Sequence, residues 1–389
     1  MTRFLLGINY WPRSTAMYAW QRFDLGRMRE DFLHIRRLGF DVVRFFLTWE
    51  AFQPKPDTIE AKSLNRFDAV LQAIDDAGLR AMPTLFCGHM SGVNWLPPWT
   101  LDPGTPHGRF RTIANGTISP FGIGDFYTDA DLLAAQVRLA RALGRRATAH
   151  PALFAWDLGN EFSNVREPQN ELDAAAWSTL LTEVLLEESG IGTTGGLHGE
   201  DLERDRKIRP STIAAPWQFA TMHGYSVYST FSRGRLDRNV VPFLCALTQS
   251  FAGKPVLFSE FGNPECPPGA SDVGGIACLN EEEMAAYATA VLEHLVLQGA
   301  IGAFWWNWSD YDSSLAGLPP FDLAPHELRF GIVRANGSEK PVAHALATFA
   351  REARQTHEAP APLIGEQEYY ASMPQGVFDA YREYCRVNP

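Results

Sequence analysis

Eight short apolar segments, separated by longer helical patterns, constrain the fold of this chain more than any other feature. Several of them are apolar almost throughout, which is typical of strands that are covered on both faces. They are Phe4–Asn9, Asp41–Leu47, Arg80–Phe86, Leu153–Leu158, Pro210–Ala215, His223–Tyr228, Pro255–Ser259 and Ile301–Asn307. Alternation of strands and helices indicates βα units around a parallel sheet. Eight such units predict a single α/β domain, a closed (β/α)₈ TIM barrel.

Helical patterns occupy most of the intervals between these strands. They cover Leu25–Leu38, Leu64–Ala77, Asp129–Arg146, Leu172–Glu188, Val240–Phe251 and Glu281–Gln298. The connection from Ala215 to His223 is too short for a full helix, so the unit between the fifth and sixth strands should be abbreviated. We assign residues 1–357 to the catalytic barrel and residues 358–389 to a C-terminal tail packed on its outside.

Three long loops are expected to differ in their roles. Residues 88–123 follow the third strand and residues 311–330 follow the eighth. Both should wall the active site, because barrel active sites lie at the carboxyl ends of the strands. Residues 189–207 follow a helix instead, which predicts that they lie on the opposite face of the barrel.

Composition and charge exclude several classes of protein. The chain has 45 acidic and 34 basic residues, a formal charge of −11, and no basic block longer than two residues. Neither a nucleic acid nor an anionic membrane is therefore expected as a partner. No apolar run reaches the roughly 18 residues of a membrane span. The apolar stretch from Phe4 to Ile8 is too short for a signal peptide, which predicts a cytoplasmic protein.

Cysteines and common motifs point to no metal and no nucleotide. Five cysteines include no C-x-x-C pair, and Cys266 and Cys278 are expected to stay reduced. The stretch from Gly190 to Gly195 matches G-x-G-x-x-G, but it follows a helix, whereas a dinucleotide fingerprint follows a strand. We interpret it as a loop. The G-x-S-x-G and H-E-x-x-H signatures of hydrolases are also missing.

Two glutamates end strand-like runs on opposite sides of the predicted barrel. Glu161 follows the fourth run directly, after Asn160, and Glu260 ends the seventh. The other two Asn-Glu pairs, at 170–171 and 280–281, precede helical patterns and are typical of helix N-caps. Two facing carboxylates hydrolyse glycosides, since one protonates the leaving oxygen and the other attacks the anomeric carbon. Glu161 and Glu260 are the candidate catalytic residues.

Other polar and aromatic residues accompany this pair at the strand ends. Arg44 ends the second strand and is positioned to hold a carboxylate ionised. His89 follows the third strand, and Trp306, on the eighth, offers an aromatic face to a pyranose. His223 and Tyr225 are two residues apart on the sixth strand and should project to the same side.

Together these residues resemble clan A of the glycoside hydrolases, and family 5 most closely, over about residues 4 to 350. The resemblance implies a retaining double displacement without a metal or an organic cofactor. By analogy, Glu161 is the acid/base, Glu260 is the nucleophile and Asn160 binds the sugar 2-hydroxyl. Arg44 and Tyr225 would contact the nucleophile, whereas His89, His223 and Trp306 would line the −1 subsite. The stretch from Phe86 to Trp99 also resembles the third-strand loop of bacterial β-mannosidases and mannanases.

We therefore predict a retaining, exo-acting β-glycosidase of the β-mannosidase type that acts on oligosaccharides. The alternatives are an endo-acting mannanase or glucanase, a transglycosylase of the same fold, or a non-catalytic sugar-binding barrel. Trp95, in the third-strand loop, is expected to contact the substrate. The pKa of Glu161 should be raised, in part by the charge of Glu260. The sequence leaves open the sugar in the −1 subsite, the linkage and the oligomeric state.

Overall fold

The computed structural model describes residues 3–360 and 364–388. Eight parallel strands form the central sheet in the order β5-β4-β3-β2-β1-β8-β7-β6. They are β1 (Leu5–Tyr10), β2 (Val42–Thr48), β3 (Arg80–Cys87), β4 (Trp156–Asn160), β5 (Thr193–Gly196), β6 (Ala220–His223), β7 (Val256–Phe261) and β8 (Gly302–Trp305). This order is that of a (β/α)₈ barrel, which confirms the predicted fold class.

Backbone hydrogen bonds close the seam between β5 and β6. The amide of Gln218 donates to Thr193 O at 2.9 Å, and the amide of His223 donates to Leu197 O at 2.9 Å. Side chains pointing inward fill the lower half of the barrel, so that only the carboxyl ends of the strands are open to a ligand. This inner cluster consists of Val42, Met82, Ala155, Phe219, Leu257 and Phe304.

Helices surround the sheet. The longer ones are Leu25–Arg37, Ala61–Asp76, Ala130–Arg146, Glu171–Ser189, Val240–Ala252, Glu281–Gln298, Pro341–Glu352, Glu366–Ala371 and Gln375–Val387. Short α-helices lie at Trp49–Phe52, Phe162–Val165, Gly199–Glu203 and Pro210–Ile213, and 3₁₀-helices at Ala16–Tyr18, Pro98–Thr100, Ser313–Leu315 and Pro325–Arg329. Asn170 and Asn280 cap their helices, as their sequence context predicts. Asn280 also forms a reciprocal capping box with Glu283.

The predicted fifth strand was wrong. Pro210–Ile213 is a short helix, and the fifth strand is Thr193–Gly196, within the stretch interpreted as a loop on the opposite face. This strand contains two glycines and no large apolar residue, so its composition conceals it. Gly196 is required there, since a Cβ at this position would lie 2.2 Å from Gly159 O on the neighbouring strand. The residues after β5 therefore reach the active-site face.

The sixth strand is also shifted from its predicted position. It covers Ala220–His223, so His223 ends the strand and Tyr225 lies beyond it in the following loop. Likewise, Trp306 comes directly after β8, which ends at Trp305. Tyr225 and Trp306 therefore lie two residues and one residue beyond the ends of their strands.

The loop after β3 has its own small sheets. Its strands are His89–Met90, Val93–Trp95, Leu101–Pro106, Arg111–Ala114, Thr117–Ser119 and Phe121–Ile123. A second hairpin, Asp272–Val273 with Ile276–Ala277, lies after β7. A disulfide between Cys266 and Cys278 encloses this hairpin, so the expectation that both thiols stay reduced was wrong.

The C-terminal helices pack on the outside of the barrel. The hydroxyl of Tyr370 donates to Asp201 O at 2.8 Å, and that of Tyr369 donates to Leu202 O at 2.6 Å. The division into a barrel of residues 1–357 and a tail of residues 358–389 stays a prediction, and residues 1–2, 361–363 and 389 lie outside the described residues. No helix within the described ranges combines the length and the apolar character needed to cross a membrane. The predicted location in the cytoplasm is not tested.

Candidate active site

A buried arginine on β2 links the carboxyl ends of β1, β4 and β7. Arg44, on β2, is fully buried, and its guanidinium donates to Asp157 Oδ2 from Nε at 2.8 Å and from Nη2 at 2.7 Å. The same guanidinium donates to Glu260 Oε1 at 2.5 Å, to Asn160 Oδ1 at 2.9 Å and to Asn9 Oδ1 at 3.0 Å. Charge-assisted bonds of this kind are strong and directional. Arg44 thus fixes Glu260 and Asn160 relative to each other.

Glu260 is held from two sides. Each of its carboxylate oxygens accepts one hydrogen bond, Oε1 from Arg44 and Oε2 from the hydroxyl of Tyr225 at 2.7 Å. Burial and the charge of Glu260 raise the pKa of Tyr225 well above its usual value, so the phenol stays protonated and remains a donor. The side chain of Glu260 is consequently fixed in orientation by Arg44 and Tyr225.

Glu161 lies just beyond the end of β4, in a left-handed backbone conformation with φ of 45°. Such a conformation is unfavourable for a residue with a side chain and is concentrated at functional sites. It turns the Glu161 carboxylate toward the barrel axis, where Oε1 lies 3.1 Å from His223 Nδ1 and Oε2 lies 2.9 Å from Asn164 Nδ2. One ligand-type atom each of Glu161, His223 and Glu260 lie within 4.8 Å of one another.

The electrostatics of Glu161 differ from those predicted. Burial by itself raises the pKa of Glu161, but His198 and the hydrogen-bonded His223 lower it, and the net direction is downward. The expectation of a raised pKa was therefore wrong for the protein alone.

His89 faces Glu161 as a neutral ring. Burial lowers the pKa of His89 to about 4. Its Nδ1 lies 2.8 Å from Asn94 Oδ1, and the amide nitrogen of Asn94 is committed to Asn164 O. The network therefore assigns the ring proton to Nδ1 and leaves the lone pair of Nε2 directed at Glu161 Oε2, 3.7 Å away.

These groups open into one cavity of about 450 Å³ at the carboxyl ends of the strands, a size that suits one or two sugar units. Eight of the nine site residues predicted from the sequence come together here. Seven line the cavity, namely Glu161, Glu260, His89, Asn160, His223, Tyr225 and Trp306, and Arg44 lies beneath them. The ninth, Trp95, does not line the cavity. It is buried beneath the loop, where its ring meets Tyr18 edge to face at 5.4 Å, and its role as a substrate contact stays a prediction.

Several residues of the site were not found from the sequence. Asp157 and Thr84 support Arg44 from β4 and β3, and the hydroxyl of Thr84 donates to Asp157 Oδ2 at 2.7 Å. The position of Asp157 on β4, four residues before Glu161, was a usable signal. His198 and Glu327 also line the cavity, but both lie in loops that gave no sequence signal.

Two loops meet over the mouth of the barrel. Ser91, in the loop after β3, donates to Glu327 Oε2 at 2.9 Å, and Arg111 of the same loop pairs with Asp322. Glu327 and Asp322 belong to the loop after β8. Because β1 and β2 lie between β8 and β3 in the sheet, these contacts cover the mouth on that side. On the other side, Arg109 of the third-strand loop pairs with Glu200 after β5.

The fold resembles the barrels of family 5 glycoside hydrolases, and comparison with solved structures supports, for the fold, the resemblance seen in the sequence. An exo-β-1,4-mannosidase from Opitutaceae bacterium strain TAV5 matches with a TM-score of 0.76 at 24% identity, covering 94% of this chain and 60% of that protein. A GH5_18 structure from Streptomyces cattleya in complex with GlcNAc matches with a TM-score of 0.80 at 22% identity, covering 100% of this chain and 91% of that one.

Another Streptomyces cattleya GH5_18 structure, in complex with Manβ1-4GlcNAc, matches with a TM-score of 0.78 at 22% identity, over 100% of this chain and 92% of that one. The sequence matches no protein-family model and no curated protein. The likeness at these identities establishes the fold, a (β/α)₈ barrel like those of the family 5 structures. This chain spans less than two thirds of the length of the Opitutaceae protein.

Proposed function

We propose that this protein is a retaining β-glycosidase whose nucleophile is Glu260 and whose acid/base is Glu161. The observation that carries the proposal is their geometry, with one carboxylate oxygen of each within 4.8 Å of the other. Retaining enzymes hold their carboxyl groups about 5–5.5 Å apart, whereas inverting enzymes need roughly 6.5–9.5 Å to admit a water molecule. The short separation leaves room for direct attack on the sugar but not for an intervening water.

Glu260 suits the role of nucleophile because its orientation is fixed. Arg44 holds Oε1 and Tyr225 holds Oε2. The attacking oxygen therefore needs no reorganisation before it bonds to the anomeric carbon. When the glycosyl-enzyme forms, the negative charge of Glu260 is lost, and Arg44 keeps its second carboxylate partner, Asp157.

Glu161 is placed to give and to take the proton. Its Oε1 lies 3.1 Å from His223 Nδ1, and His89 turns an unprotonated nitrogen toward Oε2. In the first step the carboxyl group of Glu161, once protonated, passes its proton to the leaving oxygen. In the second step the Glu161 carboxylate takes a proton from the water that attacks the anomeric carbon. Because Glu161 must be protonated in the first step, its deprotonation sets the alkaline limb of the pH dependence of kcat/KM.

The closed side of the mouth supports exo action on oligosaccharides. The Ser91–Glu327 and Arg111–Asp322 contacts end the cavity over β1 and β2, so a chain cannot run through it in that direction. A terminal sugar fits such a pocket, whereas an internal sugar of a polymer does not. The exo-mannosidase and the Manβ1-4GlcNAc complex among the similar structures favour a β-mannoside as substrate.

The first experiment is a screen of aryl β-glycosides with the purified chain. We expect hydrolysis, with highest kcat/KM on the β-mannoside, and proton NMR should show the β-anomer as first product. An α-anomer would contradict the retaining mechanism, and no cleavage of any glycoside together with measurable binding would identify a sugar-binding barrel. Release of internal fragments from mannan or glucan, measured by chromatography, would replace exo by endo action.

Two variants test the division of roles. Glu161→Ala should keep the first step on substrates with good leaving groups, which need no proton, and azide should yield the β-glycosyl azide. Glu260→Ala cannot form the covalent intermediate, so azide attacking from the opposite face should yield the α-azide. The reverse pattern of azide products would exchange the two roles.

A further inference from the structure

Glu327 is one of the cavity carboxyl groups that have no role in the proposed reaction. Glu327 belongs to the 3₁₀-helix Pro325–Arg329 after β8 and is 7% exposed. Its Oε2 accepts from Ser91 Oγ at 2.9 Å and its Oε1 accepts from the hydroxyl of Tyr228 at 3.3 Å. Each donor comes from a different loop, Ser91 after β3 and Tyr228 after β6. The carboxyl group is therefore fixed from both sides.

Among residues 3–360 and 364–388, no lysine or arginine pairs with Glu327. The basic side chain in contact with it is His326, with Nε2 at 3.6 Å. Burial lowers the pKa of His326 to about 4, so that ring is uncharged near neutral pH. A buried carboxyl group without a cationic partner is costly, and such groups are concentrated where a ligand completes the hydrogen bonding.

The position of Glu327 indicates which part of a ligand it meets. Glu161 and Glu260 must flank C1 of the sugar, and Trp306, which follows β8, borders both Glu260 and Glu327 in the same cavity. The Ser91–Glu327 contact forms the closed side of the mouth. In a pyranose, C4 lies across the ring from C1, and the 6-hydroxyl is carried by the carbon next to C4. A terminal sugar bound with C1 at the glutamates thus presents these two hydroxyls to the closed side.

We infer that Glu327 determines glycone specificity by accepting hydrogen bonds from the 4- and 6-hydroxyls of the terminal sugar. Ser91 and Tyr228 act as positioning residues that direct the remaining lone pairs of its carboxyl oxygens into the cavity. The inference rests on the proposed function, since it assumes that a terminal sugar binds with C1 between Glu161 and Glu260. The inference adds to that function which hydroxyl groups of the substrate the pocket recognises.

The test uses deoxygenated substrates. For the aryl β-glycoside that the wild-type protein hydrolyses best, kcat/KM is measured for the parent sugar and for its 4-deoxy and 6-deoxy forms. We expect removal of either hydroxyl to lower wild-type kcat/KM by about 10- to 100-fold, because hydrogen bonds to charged groups are strong. In Glu327→Ala the parent should lose activity by a similar factor, and the deoxy forms should react within about threefold of the parent.

The matched control is Glu203→Gln, which changes another cavity carboxyl that is held by Thr230. It should keep the wild-type penalty for both deoxy sugars, whatever its own effect on rate. If Glu327→Ala does not fold, Glu327→Gln, which retains the shape, decides the question by a penalty reduced severalfold. If the Glu327 variants lose kcat/KM equally on all three substrates, the full wild-type penalty for the deoxy sugars remains, and this result would overturn the inference. Absence of any wild-type cleavage would instead refute the proposed function.

Discussion

Replacement of Glu327 by glutamine should stabilise the protein in alkaline solution while it impairs sugar recognition. Burial raises the pKa of Glu327 from its ordinary 4.5 to about 7, and the nearby charge of Glu260 adds to the effect, although hydrogen bonds from Ser91 and Tyr228 offset part of it. The folded protein therefore binds a proton that the unfolded chain releases. Its stability is fully present below pH 4.5 and falls as the pH rises through 7.

The size of the effect follows from the two pKa values. At 1.36 kcal/mol per pKa unit, ionisation of Glu327 costs the folded state about 3 kcal/mol once the pH is well above 7. Glutamine is isosteric and stays neutral, so Glu327→Gln removes this cost. With an unfolding entropy of roughly 2.1 cal/mol/K per residue, the 389 residues of the chain convert it to a rise in Tm of about 4 °C.

The assay is thermal unfolding of wild type and Glu327→Gln, followed by circular dichroism from about pH 4 to pH 9. The two Tm curves should coincide at the acid end and separate in the alkaline range. Asp322→Asn is the matched control in the same loop. A hydrogen bond from Arg111 lowers the pKa of Asp322, so its loss should destabilise at neutral pH. A constant difference between wild type and Glu327→Gln at every pH would refute the reasoning, because it would show that Glu327 does not change its charge in this range.

Three further predictions concern the rest of the site. Trp95→Ala should lower the free energy of unfolding by about 3–5 kcal/mol, since it removes a buried indole. The KM for aryl glycosides should be unchanged. A raised KM with normal stability would show that Trp95 contacts the substrate. Asp157→Ala should lower the free energy of unfolding in urea by about 3–5 kcal/mol, because it removes one of the two carboxylates that balance the buried Arg44. Its kcat should also fall, because Arg44 would no longer be held in place beside Glu260. Dialysis against EDTA should leave hydrolysis unchanged, since the guanidinium of Arg44 already supplies positive charge beside Glu260; loss of activity that zinc or calcium restores would instead show that the carboxylates and His223 hold a metal.

Much of the reaction centre was readable from the sequence because strand ends have a recognisable pattern. Glu161 and Glu260 each terminate an apolar run, and in a parallel barrel all such ends meet at one face. The same logic placed Arg44 and His89. These residues depend only on where their strand stops, and hydrophobic patterning marks that point along the chain.

The fifth strand escaped prediction because the adjacent strand β4 restricts which residues it can contain. Gly196 excludes a side chain that would collide with Gly159 O, so the strand lacks the large apolar residues by which strands are recognised. Its absence from the pattern moved the following loop to the wrong face, and with it His198. Strand composition here reflects a close backbone approach, which no local pattern contains.

Tertiary structure alone determines the place of Glu327 in the cavity, the burial of Trp95 and the pKa of Glu161. Glu327 becomes a cavity residue only because loops after the third, sixth and eighth strands converge on it, and Trp95 is buried because the third-strand loop folds over it. The pKa of Glu161 is set by its burial and by His198 and His223, which approach it from two other segments. Hydrophobic patterning determines which segments form the barrel and where each strand ends. Contacts between distant loops determine burial and charge at the site, and these depend on distances that sequence spacing does not fix.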